Sequence, residues 1–508
     1  RLTTGLHAIG ADVALAKTIL QVQGEVTDEV REWCTQQGIL IVVGNVKSLG
    51  GMLGHDDEET RAFVEATLAS YEPLLDALKD PLLPIALALY FSRVCALPKP
   101  MHLLHVIPLH ITLPIMHSFD ERLRGVVLSR IDVSTSLDHT ALYTLSQPMS
   151  KAGMGLTSLE TIAAAARWSA IVISAPETQF LVDKGTNCAL IRDRVLTYRT
   201  LVAAGVPVTP LAHEGCAPGD EEWRTLPPDP TFVLSHYRAA DGSSLRHLQH
   251  RATCDILGPI RADTLRSADN AMFTRVRSCE LKGASGWLTH VGEAMRMSDR
   301  EFEMAMRMRC GLPPCSAPLP SVCRLCDTNM ADDAYHFLSC GKLKRRSLNQ
   351  RHDAIQNGLA RFARANSCLV RITPKRADSK VPDLRIVFAD GAEQVDVSGT
   401  HPLAPSIEPR VRGVAGAAAA QREGSKDGKY MAEAKREGDG FSPFVLESYG
   451  GFGERALALL QRIEDEGACI DASPHRLSKR HFMAWAAVEW QRHNFRIFAE
   501  WRRLLQEI

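Results

Sequence analysis

The sequence contains no apolar run long enough to cross a membrane. Its longest apolar stretch, "PLLPIALALYF" at residues 81–91, is far shorter than the roughly 20 residues that a membrane-spanning helix needs. The start at Arg1 is not followed by the charged segment and apolar core of a signal peptide, and a first residue other than Met is expected of a fragment. These absences predict a soluble intracellular protein without a membrane partner.

Several compact catalytic motifs are also missing. There is no P-loop, no GxSxG elbow and no HExxH pair, which excludes the P-loop NTPases, the α/β-hydrolase esterases and the HExxH metalloproteases. No internal repeat recurs along the chain, so solenoids and propellers are excluded too.

The sequence has no excess of charge of either sign, since its formal net charge is +0. This balance hides one strongly basic segment, in which only Asp353 and Asp378 oppose the cations. Its cations are Lys342, Lys344, Arg345, Arg346, Arg351, Arg361, Arg364, Arg371, Lys375, Arg376 and Lys380. A basic run is most often a solvated face, but this one lies between two candidate metal sites. Its position favours binding of nucleic acid.

Four residues have the spacing of zinc ligands. Most of the 13 cysteines are single, as in a reducing compartment, but "CRLCDTNMADDAYHFLSC" has the form C-x2-C-x9-H-x3-C. We expect Cys323 and Cys326 to close a knuckle, and His336 and Cys340 to share one face of a helix. Four ligands leave no open position, so the predicted zinc is structural. The alternative is three buried thiols and a core histidine.

The stretch "MADD", Met330 to Asp333, resembles the aspartate pair at the catalytic turn of a polymerase. That turn requires a β-hairpin, which cannot form between the ligands of a zinc knuckle. We therefore interpret these residues as a polar loop.

Two aspartates interrupt the apolar alternation of "SKVPDLRIVFADGAEQVDVSG" at residues 379–399. With Asp390-Gly391 as a two-residue turn, Arg385 faces Asp396, and Asp383 and Asp396 become diagonal neighbours roughly 7 Å apart on one face. Such a pair of carboxylates can converge on one Mg²⁺. A three-residue turn would move Asp396 to the other face, and by base rates alone a solvated outer face is the commoner outcome. The opposite face is predicted to be apolar, and its residues are Leu384, Ile386, Phe388, Val395 and Val397.

Together these motifs resemble the C-terminal half of the non-LTR retrotransposon reverse transcriptases that carry a restriction-enzyme-like endonuclease. The shared order is the C-C-H-C knuckle, "RHDAIQNGLARFA", Pro382-Asp383, Asp396 and the Lys-x-x-Lys-Tyr of Lys426 to Tyr430. Upstream, "IGADVALAKTIL" with Lys17 is similar to a late palm motif, and "VKSLGGMLG" with Gly50 and Gly51 is similar to a primer grip. The segments "LPKPMHLLHVIP", "LSQPMSKAGMGLTS", "GASGWL", "RMRCGLPP" and "FVLESYGGFGERALALLQRI" resemble the thumb, linker and tail.

The resemblance implies a mixed α/β multidomain chain. The implied parts are a palm end at 1–57, a helical thumb at 58–180, a linker at 181–320, a CCHC zinc knuckle at 321–341, a small α/β restriction-like endonuclease at 342–455, and C-terminal helices at 456–508. It also implies that Asp383 and Asp396 bind catalytic Mg²⁺ in a PD-(D/E)xK type fold, that Lys426 or Lys429 completes the site, and that the knuckle holds structural Zn²⁺. The implied partners are target DNA and element RNA in the nucleus.

Two departures from the family pattern limit these expectations. The fingers and the catalytic aspartates of the palm are missing, so this chain alone should not polymerise DNA, and a longer parent chain would carry a polymerase half. The spacing from Asp396 to the lysines is stretched, which leaves the choice between Lys426 and Lys429 open. The rival hypothesis is a catalytically inactive relic that binds nucleic acid through its zinc knuckle and basic segment. Cleavage of DNA discriminates between the two.

Overall fold

The structure is a computed structural model. It describes residues 19–22, 24–48, 50–54, 56–131, 133, 139–183, 188–206, 248–330, 333–343, 345–373, 381–407, 409, 412–470 and 476–506. Lys17 and most of the Pro- and Gly-rich stretch at 205–232 therefore lie outside the described residues. The first two strands and the helices that follow them agree with the mixed α/β class predicted from the sequence.

The strands of the described residues are β1 (Ile19–Val22), β2 (Leu40–Val43), β3 (Val46–Ser48), β4 (Gly51–Leu53), β5 (Leu369–Ile372), β6 (Leu384–Phe388), β7 (Gly391–Thr400) and β8 (Gly440–Glu447). The helices up to the knuckle are α1 (Asp28–Gln37), α2 (Asp57–Ala69), α3 (Glu72–Lys79), α4 (Ile85–Phe91), α5 (Met101–Val106), α6 (Leu109–Arg130), α7 (His139–Ser146), α8 (Leu159–Asp183), α9 (Cys188–Ala203), α10 (Leu248–Ser267), α11 (Asn270–Cys279), α12 (Gly286–Thr289) and α13 (Asp299–Cys310). After the knuckle come α14 (Arg345–Ala365), α15 (Ala417–Arg436), α16 (Glu454–Ile470) and α17 (Lys479–Gln506). None of the helices in this described part of the chain is long and apolar enough to span a bilayer.

The chain divides into two compact units, and unit 1 comprises residues 1–77, 95–123 and 158–261. Here β1 pairs with β2 in parallel, and β3 pairs with β4 in an antiparallel hairpin. The two candidate primer-grip glycines lie in this hairpin: Gly50 precedes β4 with a φ of +81°, and Gly51 begins β4. Helices α5 and α9 pack against α8, where the Asp193 carboxylate binds the Arg167 guanidinium at 2.7 Å. This unit is largely helical beyond its short strands.

Unit 2 comprises residues 78–94, 124–157 and 262–508 and contains a four-stranded sheet of order β5-β6-β7-β8. The first two pairings are antiparallel, and β7 and β8 are parallel, with α15 as the connection between them. Alternate residues of β6 and β7 face a core that is formed with α14, α16 and α17. Leu384, Ile386 and Val395 are fully buried there, and Phe388 and Val397 are at most 5% exposed. The predicted apolar face is therefore confirmed.

The other face of the sheet is covered by α15, so it is not a solvated surface. Tyr430 and Ala434 of this helix pack against Phe441 of β8. A helix on each face explains why seven of the eight residues of β8 are buried, as parallel strands between two layers usually are. The aspartates that interrupt the alternation thus lie between the sheet and α15.

The helical surroundings of the knuckle follow from clear local signals. Helix α13 begins at a capping box of Ser298 and Glu301 and ends at Gly311, which adopts the left-handed conformation. Gly311 and the two prolines that follow it therefore end the helix. Trp490 and Trp501 of α17 are at most 1% exposed, and Trp485 packs partly buried against the same core as Trp490, so these tryptophans belong to the core rather than to a base-stacking platform.

The unit boundaries do not coincide with the predicted domain borders. The predicted C-terminal helices, α16 and α17, share one hydrophobic core with the strands of the predicted endonuclease. The identities of the predicted domains remain predictions.

Candidate metal centres

The β6-β7 hairpin turns one residue earlier than the sequence predicts, which shifts the partner of each β6 residue by two positions along β7. Phe388 pairs with Gly391, so the turn residues are Ala389 and Asp390, and Arg385 pairs with Gln394 rather than with Asp396. The turn is fixed by α16, where Arg462 binds the Asp390 carboxylate at 2.6 Å and Glu466 accepts a hydrogen bond from the Ala389 amide. The predicted register was wrong because these anchors lie more than 70 residues away.

A shift of two residues keeps every side chain on its face. Continuing the observed register by one pair places Asp383 directly opposite Asp396, instead of diagonal to it. Directly opposed residues have Cβ atoms about 4.5–5.5 Å apart, compared with roughly 7 Å for diagonal ones. The two carboxylates are therefore closer together than the sequence predicts.

The Asp383 carboxylate is held from two sides. Its Oδ2 accepts hydrogen bonds from the Val397 amide at 2.8 Å and from His352 Nε2 of α14 at 2.9 Å. The Asp383 carbonyl accepts from Gln356 Nε2 at 3.0 Å, also on α14. With its side chain only 11% exposed, Asp383 has a fixed position just before the first residue of β6. His352 and Gln356 were not assigned roles from the sequence.

Asp396 forms an ion pair with a lysine of the covering helix. Lys426 Nζ lies 2.6 Å from Asp396 Oδ2, and the two side chains are only 12% and 5% exposed. Lys429 instead contacts the Tyr430 hydroxyl at 2.5 Å. Of the two lysines that the sequence left open, the structure therefore brings Lys426 to the aspartates. Both lie in the middle of α15, because the Ala-rich stretch at residues 417–420 forms its first turn.

The pKa of Tyr430 is raised by the burial and by the negative charge of this site. Burial raises the pKa of its phenol, and the nearby carboxylates of Asp396 and Asp383 raise it further. The tyrosine is therefore neutral at physiological pH. The site as a whole combines two opposed carboxylates, one ammonium group and one neutral phenol.

The four predicted zinc ligands converge in the structure. Their ligand atoms all lie within 4.8 Å of one another, and among the described residues they form a group that could hold a metal ion. The sulfur atoms of Cys323 and Cys340 are 3.9 Å apart, and those of Cys326 and Cys340 are 3.6 Å apart. A tetrahedron with Zn–S bonds of about 2.3 Å has edges of about 3.8 Å, so the set fits zinc.

Local structure explains how the knuckle brings its ligands together. Asp327 adopts a left-handed conformation after the Cys323-x-x-Cys326 turn. His336 begins a 3-10 turn that ends at Leu338, before Cys340, so the expectation of one shared helix face is wrong. Burial acts to raise the pKa of the Cys326 thiol, but hydrogen bonds from Thr328 and His336 lower it to about 6, which favours the thiolate that binds metal.

The knuckle is joined to the sheet by a buried polar chain. Asp333 Oδ2 lies 3.0 Å from His401 Nε2 after β7, and His401 Nδ1 lies 2.6 Å from the hydroxyl of Ser448 after β8. Burial acts against the charged form of Asp333, but the charge and hydrogen bond of His401 lower the pKa of its carboxyl group overall. Asp333 thus has a structural partner, in agreement with the rejection of "MADD" as a catalytic turn. No local sequence signal pointed to His401, which is 68 residues away.

The predicted basic segment does not form one exposed face. Lys342, Arg361, Arg364 and Arg371 are exposed, whereas Arg351 is only 7% exposed. The structure does not describe the side chains of the remaining cations, which are Lys344, Arg345, Arg346, Lys375, Arg376 and Lys380. Any nucleic-acid contact by Arg351 would therefore require a ligand that enters a cavity.

In comparisons with known proteins, no family model and no curated protein matches the chain.

Proposed function

We propose that this chain is the C-terminal portion of a retrotransposon-encoded reverse transcriptase/endonuclease, and that it nicks target DNA with the help of Mg²⁺. One observation carries the proposal: Asp383 and Asp396 oppose each other on neighbouring strands, and Lys426 lies 2.6 Å from Asp396. The sequence pattern Pro-Asp, Asp, Lys implied this combination. In the fold, the three side chains come from the residue just before β6, from β7 and from α15, which supports the proposal.

The residues fit a magnesium ion. Mg²⁺ prefers oxygen ligands and is commonly bound by one or two carboxylates, with water and phosphate completing the shell. Asp383 and Asp396 would hold it, because a bound cation would offset the repulsion between their two negative charges. When bound, the ion would polarise the phosphodiester and make its bound water more acidic.

The chain's own residues would position the reaction. His352 and the Val397 amide both donate hydrogen bonds to Oδ2 of Asp383 and so fix its carboxylate. The other oxygen, Oδ1, is thereby held in a fixed orientation in which it could bind the metal ion. Lys426 neutralises Asp396 in the free protein and would turn its ammonium group to the charge that develops on the phosphate. The neutral Tyr430 contacts Lys429 through its hydroxyl and packs against Phe441 in the layer between α15 and the sheet.

The knuckle would bind structural Zn²⁺ and present nucleic acid beside the endonuclease. Element RNA and target DNA are the proposed partners, a polymerase half on a longer parent chain is proposed to copy the RNA, and the proposed location is the nucleus. The buried contact from Asp333 to His401 supports a fixed orientation of the knuckle relative to the sheet.

The test is nicking of supercoiled plasmid by the zinc-loaded chain, with and without added Mg²⁺. We expect nicking that depends on Mg²⁺ and that falls at least 100-fold in Asp383→Ala and Asp396→Ala. Asp465→Ala is the matched control, because Asp465 is exposed on α16, where its carboxylate accepts a hydrogen bond from Gln461 Nε2. Plasmid that is bound but never cut, in Mg²⁺ or Mn²⁺, would reject the nuclease and favour the rival reading of an inactive nucleic-acid-binding relic.

A further inference from the structure

A cavity of about 540 Å³ opens between the knuckle, the end of β7 and helix α15. Among the described residues that line it there is no aspartate or glutamate, and the knuckle ligands Cys326 and His336 form part of its wall, where the bound zinc would occupy them. Positive charge comes from Arg351 and Arg422, and hydroxyl groups come from residues such as Ser339, Thr400 and Ser406. A cavity with cations, hydroxyl groups and no carboxylate is suited to an anion.

Arg351 is the strongest indication of a ligand. Its guanidinium lies over Trp490, with Cζ 4.2 Å from the ring centre, and donates to Asn494 Oδ1 at 2.7 Å. Burial lowers its pKa to about 10, so the group stays charged at neutral pH. Within the described part of the chain, no carboxylate lies at ion-pair distance from it. Since buried charges are normally paired, an entering anion would supply the missing partner.

The cavity adjoins the proposed catalytic residues on three elements. Arg351 precedes His352 on α14, Ser425 precedes Lys426 on α15, and Gly399 follows Asp396 by three positions on β7. At about 3.3 Å per strand residue, Gly399 lies about 10 Å along β7 from Asp396. One DNA strand advances about 3.4 Å per nucleotide, so the cavity lies within about three nucleotides of the cut.

We propose that this cavity receives one nucleotide of the target strand, turned out of the duplex beside the cleavage site, with its phosphate against Arg351 and Arg422. The inference depends on the proposed endonuclease function and specifies its substrate. A volume of about 540 Å³ lies within the usual range of about 300–1,000 Å³ for small-ligand sites. A phosphate of an intact duplex cannot reach a guanidinium that is 7% exposed while its base stays stacked. The strand must leave the stack, as it does in enzymes that extrude a base.

The proposal is tested by binding in the absence of Mg²⁺, so that no cutting intervenes. The zinc-loaded full chain is titrated against three fluorescent duplexes: fully paired, with one bulged thymidine, and with one bulged abasic nucleotide. We expect the bulged thymidine to bind at least tenfold tighter than the paired duplex, and the abasic bulge to lose most of that preference. General attraction to phosphates is common to all three duplexes and cancels in the ratios.

Two rim variants locate the effect in the cavity. Arg351 belongs to the core, so the test uses Arg422→Ala and Ser406→Glu, which alter exposed positions of the cavity wall. Both should reduce the preference for the bulged thymidine to less than threefold. Arg436→Ala is the matched control, because Arg436 is exposed on the same helix and does not line the cavity. It should keep the full preference.

Equal binding of the three duplexes, or a preference that survives both rim variants, would overturn the proposal. The same preparation is assayed for plasmid nicking in Mg²⁺, which separates the two claims. Nicking without bulge preference refutes the nucleotide cavity and leaves the endonuclease standing. Bulge preference without nicking supports the cavity and refutes the endonuclease.

Discussion

The ion pair between Lys426 and Asp396 allows a prediction about stability that does not depend on DNA cleavage. In Lys426→Met, a side chain of similar length replaces the cation, and Asp396 is left buried opposite Asp383 without compensation. At 2.6 Å, Coulomb's law with an effective dielectric constant of about 20 gives a gross attraction of about 6 kcal/mol. Much of this is offset by desolvation, and breaking a buried pair from one side typically costs about 3–5 kcal/mol. We expect Lys426→Met to lower the local free energy of unfolding by about 3 kcal/mol.

Removing both charges should cost less than removing one. In the double variant Asp396→Asn/Lys426→Met no uncompensated charge remains, so we expect its stability to be within about 1 kcal/mol of the wild-type protein. The measurement is native-state hydrogen exchange of the amides of β7 and α15. Exchange reports local opening, which suits a large chain whose global unfolding need not be two-state. The matched control is Lys429→Met, because Lys429 contacts Tyr430 and not the aspartates.

Magnesium provides the decisive comparison. A ligand that binds only the folded state stabilises it by about 2.7 kcal/mol at a concentration of 100 times its Kd. Lys426 competes with Mg²⁺ for the carboxylates, so Mg²⁺ should protect β7 more strongly in Lys426→Met than in the wild-type chain. In Asp396→Asn it should give little protection. Equal protection in all three proteins, or a coupling energy below about 0.5 kcal/mol between the two sites, would refute the reasoning.

Three further predictions concern the surrounding structure. The zinc-loaded chain should contain one zinc ion by native mass spectrometry, and Cys340→Ser should lose it, whereas Cys368→Ser, a buried cysteine outside the cluster, should retain it. Burial and nearby arginines lower the pKa of His493 to about 4, below its ordinary value of 6.5. As the pH falls, the imidazole of the unfolded chain is therefore protonated before that of the folded protein. Stability should therefore fall by about 2–3 kcal/mol as pH drops from 7 to 4, and denaturation of His493→Gln should show a clearly smaller fall. Hydrogen bonds from Arg385 lower the pKa of Asp439, so the ionised carboxylate stabilises the folded protein. Because Arg385 is partly exposed, we expect this stabilisation to be only about 1 kcal/mol, present above about pH 4 and lost as the pH falls further. Asp439→Asn should therefore be less stable than the wild-type protein at neutral pH and equally stable in acid.

The parts of the site that depend on local spacing could be predicted from the sequence. The zinc ligands lie within 18 residues of one another, so a turn and a short connection suffice to bring them together. The alternation of β6 and β7 fixed the faces of Asp383 and Asp396, because a shift of register by two residues conserves them. These predictions needed no knowledge of distant contacts.

The remaining parts depend on long-range packing. The true hairpin turn is set by Arg462 and Glu466, and the partner of Asp333 is His401, and none of these lies near its contact in sequence. The choice of Lys426 follows from the phase of α15, which only the packing of that helix reveals. A helical signal did exist, since Lys426 and the buried Tyr430 are four residues apart and therefore share a face.

The parallel connection from β7 through α15 to β8 has an evolutionary consequence. Asp396 lies on the strand and Lys426 on the helix, and both elements are held by the sheet. The connection between them begins with residues that contact the knuckle and line the cavity, and its later part, up to Gly416, serves as a linker to α15. Doubling the length of a flexible loop costs only about 0.6 kcal/mol. Insertions and deletions in this linker can therefore accumulate while the 2.6 Å contact stays the same. The number of residues between the acidic and basic groups is then free to drift between descendants of one ancestor, and the stretched spacing of this chain is compatible with an intact site.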